Sequence, residues 1–317
     1  MKNHDYPIET AEESAGEKET DLLISKTPFY LEKDWELITE NKNPACSHVQ
    51  IEQMIQKRTI NLIDMEILKI LASFHYLNHY HIAYLLEGRL HPNYHKASYL
   101  NNLNKLKRAG LVLCCIPITA GTLAEETPPA PASPLKLYSL SQGAYTYMEP
   151  VTPDAHAMQP AGSLRKIEIA AANQFILHFQ RHYGNMVSSL EYLKTVRLGT
   201  SVFTIDGIVR YRASFSKDQP AELVSLLVLP VRKQEKWEKR AVMRLHLLKV
   251  WLSRHDAEYR IPFPVLIVEN MEMAVSLFSC LQAQENRFPS ISVRKTCSWS
   301  IRRFRPYTGA RRMRTGG

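Results

Sequence analysis

The sequence predicts an α+β chain in two parts, with helices and a strand pair first and a mixed α/β layer second. Three observations carry this prediction. Between residues 61 and 109, apolar side chains recur at three-to-four spacing in three successive runs. Two short apolar runs, 111–118 and 135–140, follow them with strand character. Beyond a stretch punctuated by Pro and Gly, 149–163, a long amphipathic run precedes strands that alternate with helical segments, as expected for helices packed on a mixed sheet. The chain has 317 residues and 45% hydrophobic content, enough for a sizeable core and a division into two domains.

In the first part, residues 61–74 form the first firm helix, with Asn61 as N-cap and Leu62, Ile63, Met65, Leu68, Ile70 and Leu71 supplying the apolar period. Residues 77–86 form a second, shorter helix that Asn78 can cap, and Pro92 prevents it from running on. Residues 96–109 form the third. Leu100, Leu103 and Leu106 lie on its apolar face, while Ser98, Asn101, Asn102, Lys105 and Arg108 project from the other side. Gly110 ends it, because glycine reaches the left-handed conformation cheaply. A helix, then Arg-Ala-Gly, then a strand is how the recognition helix of a winged helix-turn-helix runs into its wing. Residues 119–134, rich in Pro, form the long wing tip, and 141–147 a short closing helix. In the second part, a helix over 164–183 precedes strands over 186–193, 202–211 and 223–231. A helix over 237–254, a buried strand over 265–268, a helix over 271–283 and a last strand over 291–293 complete it. The expected division is a largely disordered acidic leader (1–58), a winged helix-turn-helix domain (59–148), a linker (149–163), an α/β domain (164–301) and a basic tail (302–317).

Charge is distributed unevenly. Residues 1–40 hold eleven acids against four Lys, so residues 41–317 carry +16 of a chain total of +9. A basic body suits a polyanionic partner. The five Cys show neither CxxC spacing nor an even framework and fit reduced thiols of a cytoplasmic protein. No stretch of about 20 apolar residues and no basic-then-apolar leader occurs, so no membrane association is expected.

Certain residues also carry a family resemblance. They are Leu103, Leu106, Ala109, Gly110, Leu111 and Val112, followed by the string YSLSQGA from Tyr138 to Ala144, with Asn173 in the later helix and Asp206 in the strand FTIDGIVR. Over roughly residues 60–300 the chain resembles the replication-relaxation family of plasmids and integrative mobile elements. That family joins a winged helix-turn-helix to a degenerate restriction-endonuclease-like domain of PD-(D/E)xK type. The resemblance implies a double-stranded DNA partner, a role in plasmid replication or conjugative relaxation and mobilisation, and a relaxase or replication initiator as protein partner.

The residues also mark a departure. A nuclease of this fold needs an acid on one strand and acid-x-Lys on the next, so that carboxylates hold Mg²⁺ and the Lys polarises water or phosphate. Here the next strand is apolar at its centre. Glu222 comes too early, and Arg232 and Lys233 lack an acid two residues before them. Asp206 alone cannot build a metal site, and it is expected to be a turn or strand-end acid bonded to backbone. No catalytic residue is therefore assigned. His75, His79 and His81 cluster, with His91 and His95 nearby, but no Cys or acid completes a tetrahedral metal set. Cys114 and Cys115 point to opposite faces of their strand. No GxxxxGK[ST] loop occurs, and no cofactor is expected.

What remains is basic and polar. Tyr94, His95 and Lys96 would enter the major groove with the start of the third helix, followed by Ser98, Asn101, Asn102 and Lys105, while Arg108 meets phosphate. In the tail, Arg302, Arg303, Arg305, Arg311 and Arg312, with Phe304 and Tyr307 among them, fit non-specific phosphate contact and stacking. Lys233, Lys236, Lys239 and Arg240 fit a solvated helix face. The leading expectation is a non-catalytic DNA-binding protein of a mobile element. Three alternatives stand beside it. A transcriptional regulator with a sensing or dimerising second domain would show a homodimer and symmetric half-sites. An active nuclease would show Mg²⁺-dependent cleavage lost in Asp206→Ala. A protein-interaction adaptor would work without DNA contact.

Overall fold

In a computed structural model of the chain, the described residues are 35–40, 46–87, 89, 98–119, 136–152, 161–214, 221–255 and 261–285. The α+β class holds. In order, the elements are β1 (Trp35–Thr39), α1 (His48–Gln56), α2 (Leu62–Phe74), α3 (His79–Glu87), α4 (Ser98–Arg108), β2 (Val112–Thr119), β3 (Leu137–Leu140) and α5 (Gln142–Met148). The second part comprises α6 (Ser163–Tyr183), β4 (Val187–Leu198), β5 (Ser201–Ala213), β6 (Glu222–Pro230), α7 (Trp237–Leu252), β7 (Ile261–Ile267) and α8 (Met271–Glu285).

The helix starts follow side-chain chemistry. Asn61 and Asp64 form a reciprocal capping box at α2, each side chain taking the other's backbone N–H. Ser47 and Gln50 do the same at α1. The Asn78 side chain accepts from the His81 N–H at 2.8 Å, and Ser141 Oγ accepts from the Ala144 N–H at the start of α5. Gly110, at φ 71°, lets α4 turn directly into β2.

Two sheets result. The first is antiparallel, in the order β1-β2-β3, with Val112 opposite Leu140 and Leu37 opposite Pro117. The second runs β4-β5-β6-β7. Its first three strands are antiparallel and β7 is parallel to β6, so the connection through α7 is a crossover.

Three boundaries differ from the sequence expectation. Two elements, β1 and α1, lie within the span assigned to the leader. Leu37 is buried in a cluster with Cys115, Leu137 and Ile167, and Ile51 of α1 is fully buried in the main core. A strand formed by WELIT is invisible to local pattern because its partner lies far along the chain. The span assigned to the linker is structured at both ends, with a 3₁₀ turn at Glu149–Val151 and Ser163 already in α6. Finally, the strand expected buried over 265–268 begins earlier, as β7 at Ile261, and residues 265–268 are only half-buried. The strand expected over 291–293, the wing tip and the basic tail lie outside the described residues.

The two parts are not separate bodies. One core cluster holds Phe74, Leu77 and Leu103 of the first part together with Ala172, Ile176, Tyr192 and Val209 of the second. The buried side chain of Asn173 in α6 donates to the carbonyls of Phe74 and Tyr76 at 2.8 and 3.0 Å, satisfying backbone acceptors at the end of α2. Within β5, Gly207 makes room for α6, since a Cβ there would lie 2.3 Å from Ile176 Cδ1.

Candidate nucleic-acid interface

The helix α4 is held by its apolar side. Tyr99, Leu103 and Leu106 are buried, while Leu100, expected among them, is 42% exposed. The apolar stripe is therefore rotated from the one drawn through Leu100, and the polar residues rotate with it. Asn101, Asn104 and Arg108 lie exposed at i, i+3 and i+7, a single outward face. Asn104 was missed by the sequence reading, although its spacing from Asn101 and Arg108 was the available signal.

Asn102 is corrected from outward-facing to inward-facing. It is 9% exposed, and its amide donates to Asp64 at 2.7 Å and to Asn61 at 3.3 Å. Lys105 pairs with the same Asp64 carboxylate while remaining part exposed. Asp64 is fully buried, so it binds α4 to the capped start of α2 and serves as the shared acceptor of a small polar network. Lys107 pairs with Glu40 at 2.9 Å, just after β1. That contact is the main reason the Glu40 carboxyl is held below its usual range. Ser98 begins α4. Tyr94, His95, Lys96 and the arginines of the tail (Arg302, Arg303, Arg305, Arg311 and Arg312) lie outside the described residues.

Among the described residues, no cluster of three His, Cys, Asp or Glu could hold a metal. Burial lowers the pKa of the half-buried His79 and pushes that of the fully buried His81 down to about 3, so the His81 ring is a neutral core histidine near pH 7. His91 and His95 lie outside the described residues. Cys114 and Cys115 lie on opposite faces of β2, and both are buried, in separate core clusters. Burial, with Glu40 adding to it, pushes the Cys114 thiol up to about 12, so it is not a thiolate nucleophile.

Asp206 is not at a strand end, and among the described residues its carboxylate is held by guanidiniums, where bonding to backbone was expected. It lies inside β5, 1% exposed, with Arg165 of α6 on one carboxylate oxygen and Arg244 of α7 on the other, the latter at 2.8 Å. Arg165 also reaches Glu168 at 3.0 Å. Burial works against the Arg165 charge, but Asp206 and Glu168 outweigh it and raise its pKa. The apolar centre of β6 faces β5 in register, with Gly207 opposite Val228, and Glu222 stands at the far end opposite Ala213. The carboxylate that a nuclease would give to a metal is here held by two guanidiniums. Lys233, Lys236, Lys239 and Arg240 are exposed, as expected, and the last three also line an open groove with Arg165, Arg232 and Arg244.

Compared with protein-family models, characterised proteins and solved structures, the chain finds no match. Among the described residues, no helix is long and apolar enough to cross a membrane.

Proposed function

We propose that the protein binds duplex DNA through α4, with α2, α3 and α4 acting as a helix-turn-helix and β2–β3 as the base of a wing. The observation that carries this reading is the exposed Asn101, Asn104 and Arg108 face of a helix anchored on its opposite side by Tyr99, Leu103 and Leu106. An Asn side chain can pair with an adenine edge through two hydrogen bonds, and an Arg at the helix end can neutralise a phosphate. In this reading the protein is not an enzyme. Asp206 is engaged by Arg165 and Arg244, and β6 offers no second carboxylate beside it. The resemblance to replication-relaxation proteins makes an origin or transfer site of a mobile element the first DNA to try, with a relaxase or initiator as a candidate partner.

The test is a binding titration of the full chain on duplex DNA across a salt series. Arg108→Ala should weaken binding on all sequences and lower the salt slope by about 1. Asn101→Ala with Asn104→Ala should cost about 10-fold or more on the preferred site and little on random duplex. If wild-type protein fails to bind at low salt, or if a variant combining Asn101→Ala, Asn104→Ala and Arg108→Ala binds as well as wild type, α4 is not the interface.

A further inference from the structure

The groove beside Asp206 holds more positive charge than its neighbours balance. It is an open cavity of about 910 Å³ between the first turns of α6 and α7, the end of β6 and the start of β5. Two of its arginines are spoken for, because Arg165 and Arg244 share Asp206, and Arg165 also holds Glu168. Lys236 pairs with Glu235. Arg232, Lys239 and Arg240, by contrast, have no carboxylate at ion-pair distance among the described residues.

Arg232 is the decisive residue. It is 2% exposed and ranks among the largest fully buried side chains, yet it lines the groove. Its Nη1 donates to the carbonyls of Val231 and Ile267 at 2.9 and 3.0 Å, while its Nε has no hydrogen-bond partner. A buried guanidinium held only by neutral carbonyls, with one donor unused, is costly, and a bound anion would offset that cost. Burial lowers its pKa, with Glu269, Glu168 and Asp206 acting in the opposite direction.

The helix starts add an independent argument. The N-caps of α6 and α7 are Gly162 and Lys236, and neither start has a side-chain cap. The first turn of α6 contains no acid and carries Arg165, whereas that of α7 holds Glu238 beside Lys239. A cation without an acid at the positive end of the α6 dipole is the reverse of the stabilising arrangement, and an anion bound there corrects it.

We propose that this groove is a metal-independent binding site for a phosphate-bearing anion, with Arg232, Lys239 and Arg240 as its principal donors. Asp206 holds Arg165 and Arg244 in place as positioning residues. The site is distinct from α4 and does not rest on the DNA reading.

The test titrates the full chain with inorganic pyrophosphate in EDTA, following calorimetric binding and the unfolding temperature. Saturable binding and a raised unfolding temperature are expected. Lys239→Ala with Arg240→Ala should leave the ligand-free unfolding temperature near wild type and weaken binding by about tenfold or more. Arg108→Ala on α4 should bind pyrophosphate as wild type does, which separates this site from the DNA face. Arg232→Met should lose binding, and the double variant decides the matter if Arg232→Met fails to fold. A single-stranded oligonucleotide that displaces pyrophosphate identifies the ligand phosphate as a nucleic-acid backbone. One that does not displace it points to a small phosphorylated molecule. An absence of saturable binding by wild type, or equal affinity in the double variant, overturns the proposal.

Discussion

Asp64 shows how one buried carboxylate decides which residues of a neighbouring helix are free to act. It caps α2 through Asn61 and accepts from Asn102 and Lys105 of α4. Asn102 is therefore a stability residue, while Asn104, two positions on, is exposed and belongs to the proposed interface. Asn102→Ala leaves a fully buried acid short of a donor and should cost about 1–3 kcal/mol of unfolding free energy. DNA affinity of the folded fraction should stay unchanged. Asn104→Ala should do the opposite, with unfolding near wild type and weakened site-specific binding. Urea unfolding and a binding titration on the same preparations check both. A loss of affinity in Asn102→Ala at full folding would return that residue to the interface. The sequence marked Asn61 as a cap and Arg108 as outward-facing, but the three-to-four period left the phase of α4 open by one position. Burial of Tyr99 rather than Leu100 settles it.

Among the elements, α5 shows why the string YSLSQGA is worth reading as packing. Tyr138 and Leu140 are buried in β3, Ser141 caps α5, and Gly143 lies against the backbone of the segment leading into α1. A Cβ on Gly143 would stand 2.0 Å from the Cys46 carbonyl oxygen, and backbone cannot step aside as a side-chain tip can. Gly143→Ala should therefore destabilise the protein by about 1–3 kcal/mol or more through forced separation of α5 from α1. Gly162→Ala, with nothing within 4 Å of the added carbon, should cost under about 1 kcal/mol. Thermal unfolding of the two variants tests the contrast, and equal midpoints would show that α5 shifts freely. Helices with strong apolar periods were legible from sequence, as were the three strands β4, β5 and β6. The strand β1 was not, because five residues of WELIT acquire their meaning only by pairing with β2, some eighty positions on. The basic groove was not legible either, since Arg165, Arg232 and Arg240 lie on three segments that only the crossover through α7 brings together.

For the whole molecule, the shared core argues against two domains that move freely on a linker. Asn173 supplies two of the contacts that cross between the parts, and both end on carbonyls at the C-terminal end of α2. Those carbonyls lie among buried side chains, where the loss of a donor is not repaired by water. Asn173→Leu keeps the volume and removes both donors, so it should lower stability by about 2–4 kcal/mol. The cooperative unit should show in hydrogen exchange. In wild type, amides of α2 and of β5 should open with similar free energies, and Asn173→Leu should lower both together. A variant in which β5 weakens while α2 keeps its protection would make the parts independent folding units. Joint loss has a functional consequence. The start of α2 positions α4 through Asp64, and α6 carries both Asn173 and Arg165. One continuous set of contacts thus runs from α4 to the basic groove, so an anion bound at the proposed site would stabilise the same core that holds α4.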